Sequence, residues 1–262
     1  MSSGANRSLL SLETNFAMNQ RAHRIRINCD LGEGEIESHT HALLDRIDIA
    51  NIACGIHAGR QDCLPSMIEA ALRRGVQAGA HPGLPGAFGR SVIENLSTEA
   101  FRSCVAPQVD AFLAACETVG GVVDSCHFKL HGSLYHFTEA NPLLAQAWID
   151  LLRERLSSPT LIALAGGNVV CLARAQGCQA WAEGFVDRAY LENGTLVPRG
   201  TPGALIQSDK AIRARIELLK DKGQIQTIDG KLLPLQVDTL CVHGDTPQAL
   251  TILDSVRDCL LS

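Results

Sequence analysis

NIACGIHAG, residues 51–59, is an apolar run of strand type that stops at His57, with a glycine on either side of the histidine. The same ending recurs in VQAGAHPG at His81, FKLHGS at His131 and LCVHGD at His243. Parallel strands that deliver their carboxyl ends to one face would give all four endings a common cause.

Working outward, seven short apolar or β-branched runs read as strands: IRINCD, DIANIAC, VQAGAH, CHFKLH, TLIALAG, QAWAEGFVD and DTLCVHGD. Between them lie stretches whose apolar residues recur at three and four, including SMIEAALRRG, the long LSTEAFRSCVAPQVDAFLAACETVGG, NPLLAQAWIDLLRERL and TPQALTILDSVRDCLL. Such spacing predicts amphipathic helices, with a cap near Ser97 and closing glycines at 75, 177 and 223. Strands separated by helices need crossover connections and so favour a parallel sheet covered by helices. No GxGxxG turn follows the first strand, which favours a closed barrel over a doubly wound open sheet. Residues 181–204 break the alternation, and Asn193-Gly194 predicts a β-hairpin excursion there.

The chain has 262 residues, 46% hydrophobic and 19% charged, with no composition break, which suits one globular domain over residues 25–262. Residues 1–24 are polar and mixed and read as a disordered extension, with Met18 an alternative start. They lack the apolar core of a signal peptide, and no run approaches the roughly 20 apolar residues of a spanning helix. A net charge of −5 without a basic run argues against a nucleic-acid partner, and a 4% aromatic content argues against stacking platforms. The ten cysteines are scattered without a CxxC pair, which points to buried thiols in a reducing, cytoplasmic compartment.

The predicted strand ends collect ionisable residues. The first ends at Asp30, before LGEGE with Glu33. The second and third lead to His57 and His81, and the fourth passes Lys129 to His131. The sixth leads through Glu183 to Asp187 and Arg188, and the last gives His243 and Asp245. A single histidine or aspartate at such a place is ordinarily a structural hydrogen-bonding residue or a local cap. Six of seven ends so furnished point to a pocket organised around a ligand. The fifth end, Ala165-Gly166-Gly167, offers glycines through which backbone could approach that ligand. Lys129 either snorkels to the rim or meets an anion, and with Arg90, Arg188 and Arg199 it suits a phosphate or carboxylate. Asp and His from separate strand ends could instead hold a divalent ion, although no HxH or HExxH spacing is present. A P-loop is absent as well.

INCDLGEGE, ANIACGIHAG, GAHPG with FGR, KLHGSLY, DRAYLENGTLVPR with PGA, and DTLCVHGDTP together resemble the LamB/YcsF lactam-utilisation family, from about Arg26 to the C-terminus. The resemblance implies a TIM-barrel-like (β/α)7 barrel of the glycoside hydrolase/deacetylase type. It also implies a role as the A component of a cytoplasmic 5-oxoprolinase that opens 5-oxoproline to L-glutamate with ATP and Mg2+, in company with the B and C subunits. Carried onto matching positions, it implies catalytic roles for Asp30, His57, His81, Lys129, His131 and His243. Substrate or nucleotide contacts would fall to Glu33, Arg90, Asp187, Arg188, Arg199 and Asp245. A metal-dependent deacetylase or amidase, and a non-catalytic binding component, are the alternatives. The chain departs from the family pattern at Arg60, where an Asp is usual after HAG, at LPGA and Ser91 around FGR, and at Leu130, where a Pro is usual.

Overall fold

The computed structural model describes residues 24–86, 89, 95–246 and 248–262. The expected N-terminal extension, apart from Arg24, and the candidate site residue Arg90 lie outside the described residues. Seven parallel strands close on themselves: β1 (Arg26–Leu31), β2 (Ile49–Ala53), β3 (Gln77–His81), β4 (His127–Phe128), β5 (Thr160–Leu164), β6 (Gln179–Phe185) and β9 (Thr239–His243). β9 pairs with both β6 and β1, which completes the ring. Each of the seven runs read as a strand supplies one stave, and the closed barrel replaces the open-sheet alternative.

Helices α1 (Glu37–Leu44), α2 (Leu64–Leu72), α3 (Thr98–Thr118), α4 (Gly132–Ala140), α5 (Pro142–Arg153), α6 (Asn168–Ala175), α7 (Asp209–Lys222) and α8 (Ala249–Leu261) follow the strands. The Ser97 side chain accepts from Ala100 N at 3.1 Å to cap α3, and α7 closes at Gly223 with φ +59°. The main core lies between staves and helices, where Trp148 meets Phe101 and Phe128 edge-on. None of the described helices is long and apolar enough to cross a membrane.

Four features depart from the sequence reading. Helix α1 has only eight residues, mixed in polarity, and α4 starts directly after His131, so neither shows a clean apolar stripe of its own. A small antiparallel pair, β7 (Gln224–Gln226) with β8 (Leu232–Pro234), precedes β9. The excursion does reverse at Asn193-Gly194, but through isolated bridges Tyr190↔Leu196 and Arg188↔Leu205, while the start of the stretch expected for it, Trp181 to Phe185, belongs to barrel strand β6. Ala189, Val197 and Ala204 give the excursion a small apolar cluster of its own.

Stave β4 shows how the fold positions the site. Its regular pairing covers only His127 and Phe128, yet Lys129 N donates to Ala80 O at 3.0 Å and His131 N to Pro82 O at 2.8 Å. The extended alternation therefore continues, with Phe128 turned to Trp148 and His127, Lys129 and His131 turned inward.

Candidate active site

Lys129 sits near the axis of the barrel mouth, 2% exposed. Its Nζ lies 2.8 Å from Asp30 Oδ1 and 2.8 Å from Glu183 Oε1, with Cys241 Sγ at 3.3 Å. Burial by itself would lower the lysine pKa, but Asp30, Cys241 and Glu183 together outweigh it and hold the ammonium well above its ordinary value. Burial would likewise raise Asp30, and His81 and Lys129 reverse that, holding its carboxyl well below the usual range. Below this pair runs a polar ladder. Asn51 Nδ2 donates to Asp30 Oδ1 at 2.8 Å and to Asn28 Oδ1 at 2.9 Å, His127 Nε2 lies 2.8 Å from Asn51 Oδ1, and Asn28 Nδ2 donates to Thr239 Oγ1 at 2.8 Å. Burial pulls His127 down to about 3, so it is a neutral donor that fixes the Asn51 amide.

Beside the lysine, three histidines converge on one carboxylate oxygen, Glu33 Oε1. His131 Nδ1 lies 2.8 Å from it, His57 Nε2 3.2 Å and His81 Nε2 3.7 Å. His81 Nδ1 faces Lys129 O at 2.8 Å, an acceptor only, so this nitrogen carries a proton, and Nε2 points into the cluster, 3.3 Å from Asp30 Oδ2. His57 and His131 stack with centroids 3.9 Å apart and planes 10° apart. A Cβ at Gly83 would fall 2.6 Å from His57 Nδ1, so the glycine two residues past His81 makes room for an imidazole. Gly59, with φ +72°, brings its α-carbon against Gly32 O, so this glycine serves a contact between two βα loops.

The opposite wall comes from β6, β9 and the excursion. His243 Nδ1 lies 2.7 Å from Asp187 Oδ2, and His243 lines the cavity over the stacked Phe185 ring. Burial would raise Asp187, but His243 and the two arginines lower it, so the imidazole is oriented by a carboxylate anion. Arg188 is buried, donates to Val197 O at 2.7 Å, and is drawn down to about 10 by burial and by Arg199. Between the walls lies a cavity of about 510 Å³. Helix α4 closes its side with Tyr135, His136 and Glu139. Burial raises Glu139, whose carboxylate accepts from Val169 N at 3.2 Å; a Cβ at Gly167 would fall 2.4 Å from Glu139 Oε2. The glycine of the fifth strand end therefore admits this side chain where the sequence suggested a ligand.

The structure brings Asp30, Lys129, His81, His131, His243, Arg188 and Arg199 to the cavity wall, with Glu33 and His57 behind the imidazoles and Asp187 behind His243. Asp245 is exposed and is not among the lining residues. Arg60 turns away from the mouth and pairs with Asp62, its side chain 74% exposed. The sequence reading had no role for Asn28, Asn51, His127, Tyr135 or Glu139. Asparagines inside the apolar runs IRINCD and NIACG carried a usable signal, because a buried amide demands partners.

The model of the LamB/YcsF family matches residues 25–262. The A subunit of the 5-oxoprolinase of Erwinia tasmaniensis is 38% identical over 237 residues, covering 89% of this chain and 94% of the relative. Among solved structures, the lactam utilization protein from Thermus thermophilus superposes with a TM-score of 0.81 at 30% identity, covering 91% of this chain and 96% of that one.

Proposed function

This chain belongs to the LamB/YcsF family, and from that premise we propose that it is the lactam-opening component of an ATP-dependent 5-oxoprolinase, converting 5-oxoproline to L-glutamate with ADP and phosphate released. Near full-length similarity to the A component of a 5-oxoprolinase is the observation that carries this reading. The site is consistent with it, because the substrate is a small anion bearing an amide and the cavity has a cationic wall facing a wall of carboxylates and imidazoles. The B and C subunits would complete the enzyme, and ATP with Mg2+ would be consumed by the assembly.

A five-membered lactam carbonyl resists water because the ring nitrogen donates into it, so activation of the lactam oxygen by ATP is chemically reasonable. Arg188 and Arg199 would hold the substrate carboxylate, whose charge relieves their mutual repulsion. Asp187 fixes the His243 ring, which would take a proton from the attacking water and return one to the ring nitrogen as the C–N bond breaks. Lys129, already balanced by two carboxylates, would set the charge and orientation of Asp30 from within the protein.

The test is glutamate and phosphate release from 5-oxoproline and ATP, with this chain alone and with its partner subunits. Glutamate formed together with phosphate, and stopped by omission of ATP, is expected from the assembly. Glutamate released equally without ATP overturns the reading.

A further inference from the structure

We propose that Glu33 Oε1, His81 Nε2 and His131 Nδ1 form a binding site for one divalent first-row transition ion, with Zn2+ or a similar ion as its occupant. The three donors come from the loop after β1, the end of β3 and the residue after the extended β4, so no sequence spacing announces them. Their separations are 2.8, 3.0 and 3.7 Å. Ligands bound tetrahedrally to zinc lie about 3.3 Å apart, given bonds of about 2.0–2.2 Å. The triangle is therefore already the size of one face of a coordination shell. Two imidazoles, both of which also line the cavity, and one carboxylate make a donor set that suits zinc or iron-like ions over Mg2+ or Ca2+.

Support behind the donors is of the kind that metal ligands have. His81 Nδ1 donates to Lys129 O, which fixes the tautomer and aims Nε2 at the site. His57 belongs to the support as well. Its Nδ1 is buried without a hydrogen-bond partner, so its proton is best placed on Nε2, where it meets Glu33 Oε1 at 3.2 Å. Its ring is also stacked parallel to His131, and one ion cannot lie in the planes of two rings 3.9 Å apart. Charge favours a cation here too: Asp30 and Glu183 share the single ammonium of Lys129 while Glu33 lies among imidazoles, and buried anions in excess of cations are costly.

This site can be tested without nucleotide, lactam or partner subunits, so its failure leaves the ring-opening reading standing, and failure of ring opening leaves the site standing. The full chain is stripped with chelator, reloaded with Zn2+ or Co2+, desalted and assayed by elemental analysis and by the visible spectrum of Co2+. The expectation is about one ion per chain, with Co2+ bands of low-symmetry nitrogen and oxygen coordination. Glu33→Gln and His131→Phe should abolish retention, and His57→Phe should weaken it roughly 10- to 100-fold, as loss of an outer hydrogen bond does. Circular dichroism checks that these variants fold, and the wild-type Co2+ spectrum decides even if they do not. A stripped and reloaded wild type that retains no ion overturns the proposal. So does an ion that is kept by Glu33→Gln but lost when the exposed Cys63 and Cys171 become serine.

Discussion

The two halves of the barrel mouth are built differently. Across β1 to β4, side chains from four staves interlock: Asp30, Asn51, Lys129 and the three histidines touch one another at hydrogen-bond distance and are nearly all buried. On the side of β6, β9 and the excursion, Arg188 and Arg199 face the cavity from a loop held by isolated bridges and a few apolar contacts. The first wall has fixed geometry, as chemistry requires. The second has charge on an appended loop, as recognition of a small anion requires. Stability should therefore depend on the first wall and affinity on the second.

The largest effect expected from that contrast is on stability. Lys129→Met leaves Asp30 and Glu183 buried without their cation, and should cost about 3–5 kcal/mol in chemical denaturation. A loss below about 1 kcal/mol would mean that the carboxylates find another partner, and the distinction between the walls would weaken.

Acid comes next. His127 lies under Asp30 with its pKa drawn from the ordinary value of about 6.5 down to about 3. The unfolded chain takes up this proton first, so the stabilisation is complete above about pH 6.5 and is lost as pH falls through that window toward 3, with a slope of about 1.4 kcal/mol per pH unit. Asp30 and Asp187, both depressed, extend the loss below the unfolded carboxylate value of about 3.9. Denaturation measured from pH 7 to 4 should show the slope in the wild type and a flatter curve in His127→Gln. Equal slopes would remove His127 from the account.

On the second wall the ranking inverts. Arg199→Gln should leave the midpoint of thermal unfolding nearly unchanged, since the residue is only half-buried on an appended loop. Affinity for a small carboxylate such as 5-oxoproline should fall roughly 10- to 100-fold, the value of one charge-assisted hydrogen bond. Calorimetric titration checks this, and unchanged affinity would return the cationic wall to a structural role.

What the sequence made legible follows the same division. All seven staves and the direction of their polar ends could be read, because strand alternation and the return of His-Gly are local patterns. The partners of Lys129 could not, since Glu183 lies 54 positions further on and only closure of the ring brings it within 2.8 Å. The convergence of three imidazoles on Glu33 was hidden in the same way, each ligand arriving on a different stave or loop. Glycines were visible but their reason was not: Gly59 and Gly167 approach Gly32 O and Glu139, which are parts of the protein itself.

Arg60 tests the outer limit of the mouth with the smallest expected effect. The resemblance to the family leads one to expect an aspartate there, and a reversal of charge three residues past His57 would suggest an altered substrate. Its guanidinium, however, points to solvent and pairs with Asp62 just ahead of α2. An exposed ion pair of this kind contributes little, and a second acidic residue before a helix start is favoured by the helix dipole. Arg60→Asp should therefore leave the unfolding midpoint, 5-oxoproline affinity and ring-opening rate of the assembled enzyme where they were. A tenfold change in affinity would show that this loop reaches the cavity, and the recognition wall would then have to be drawn on both sides of the barrel.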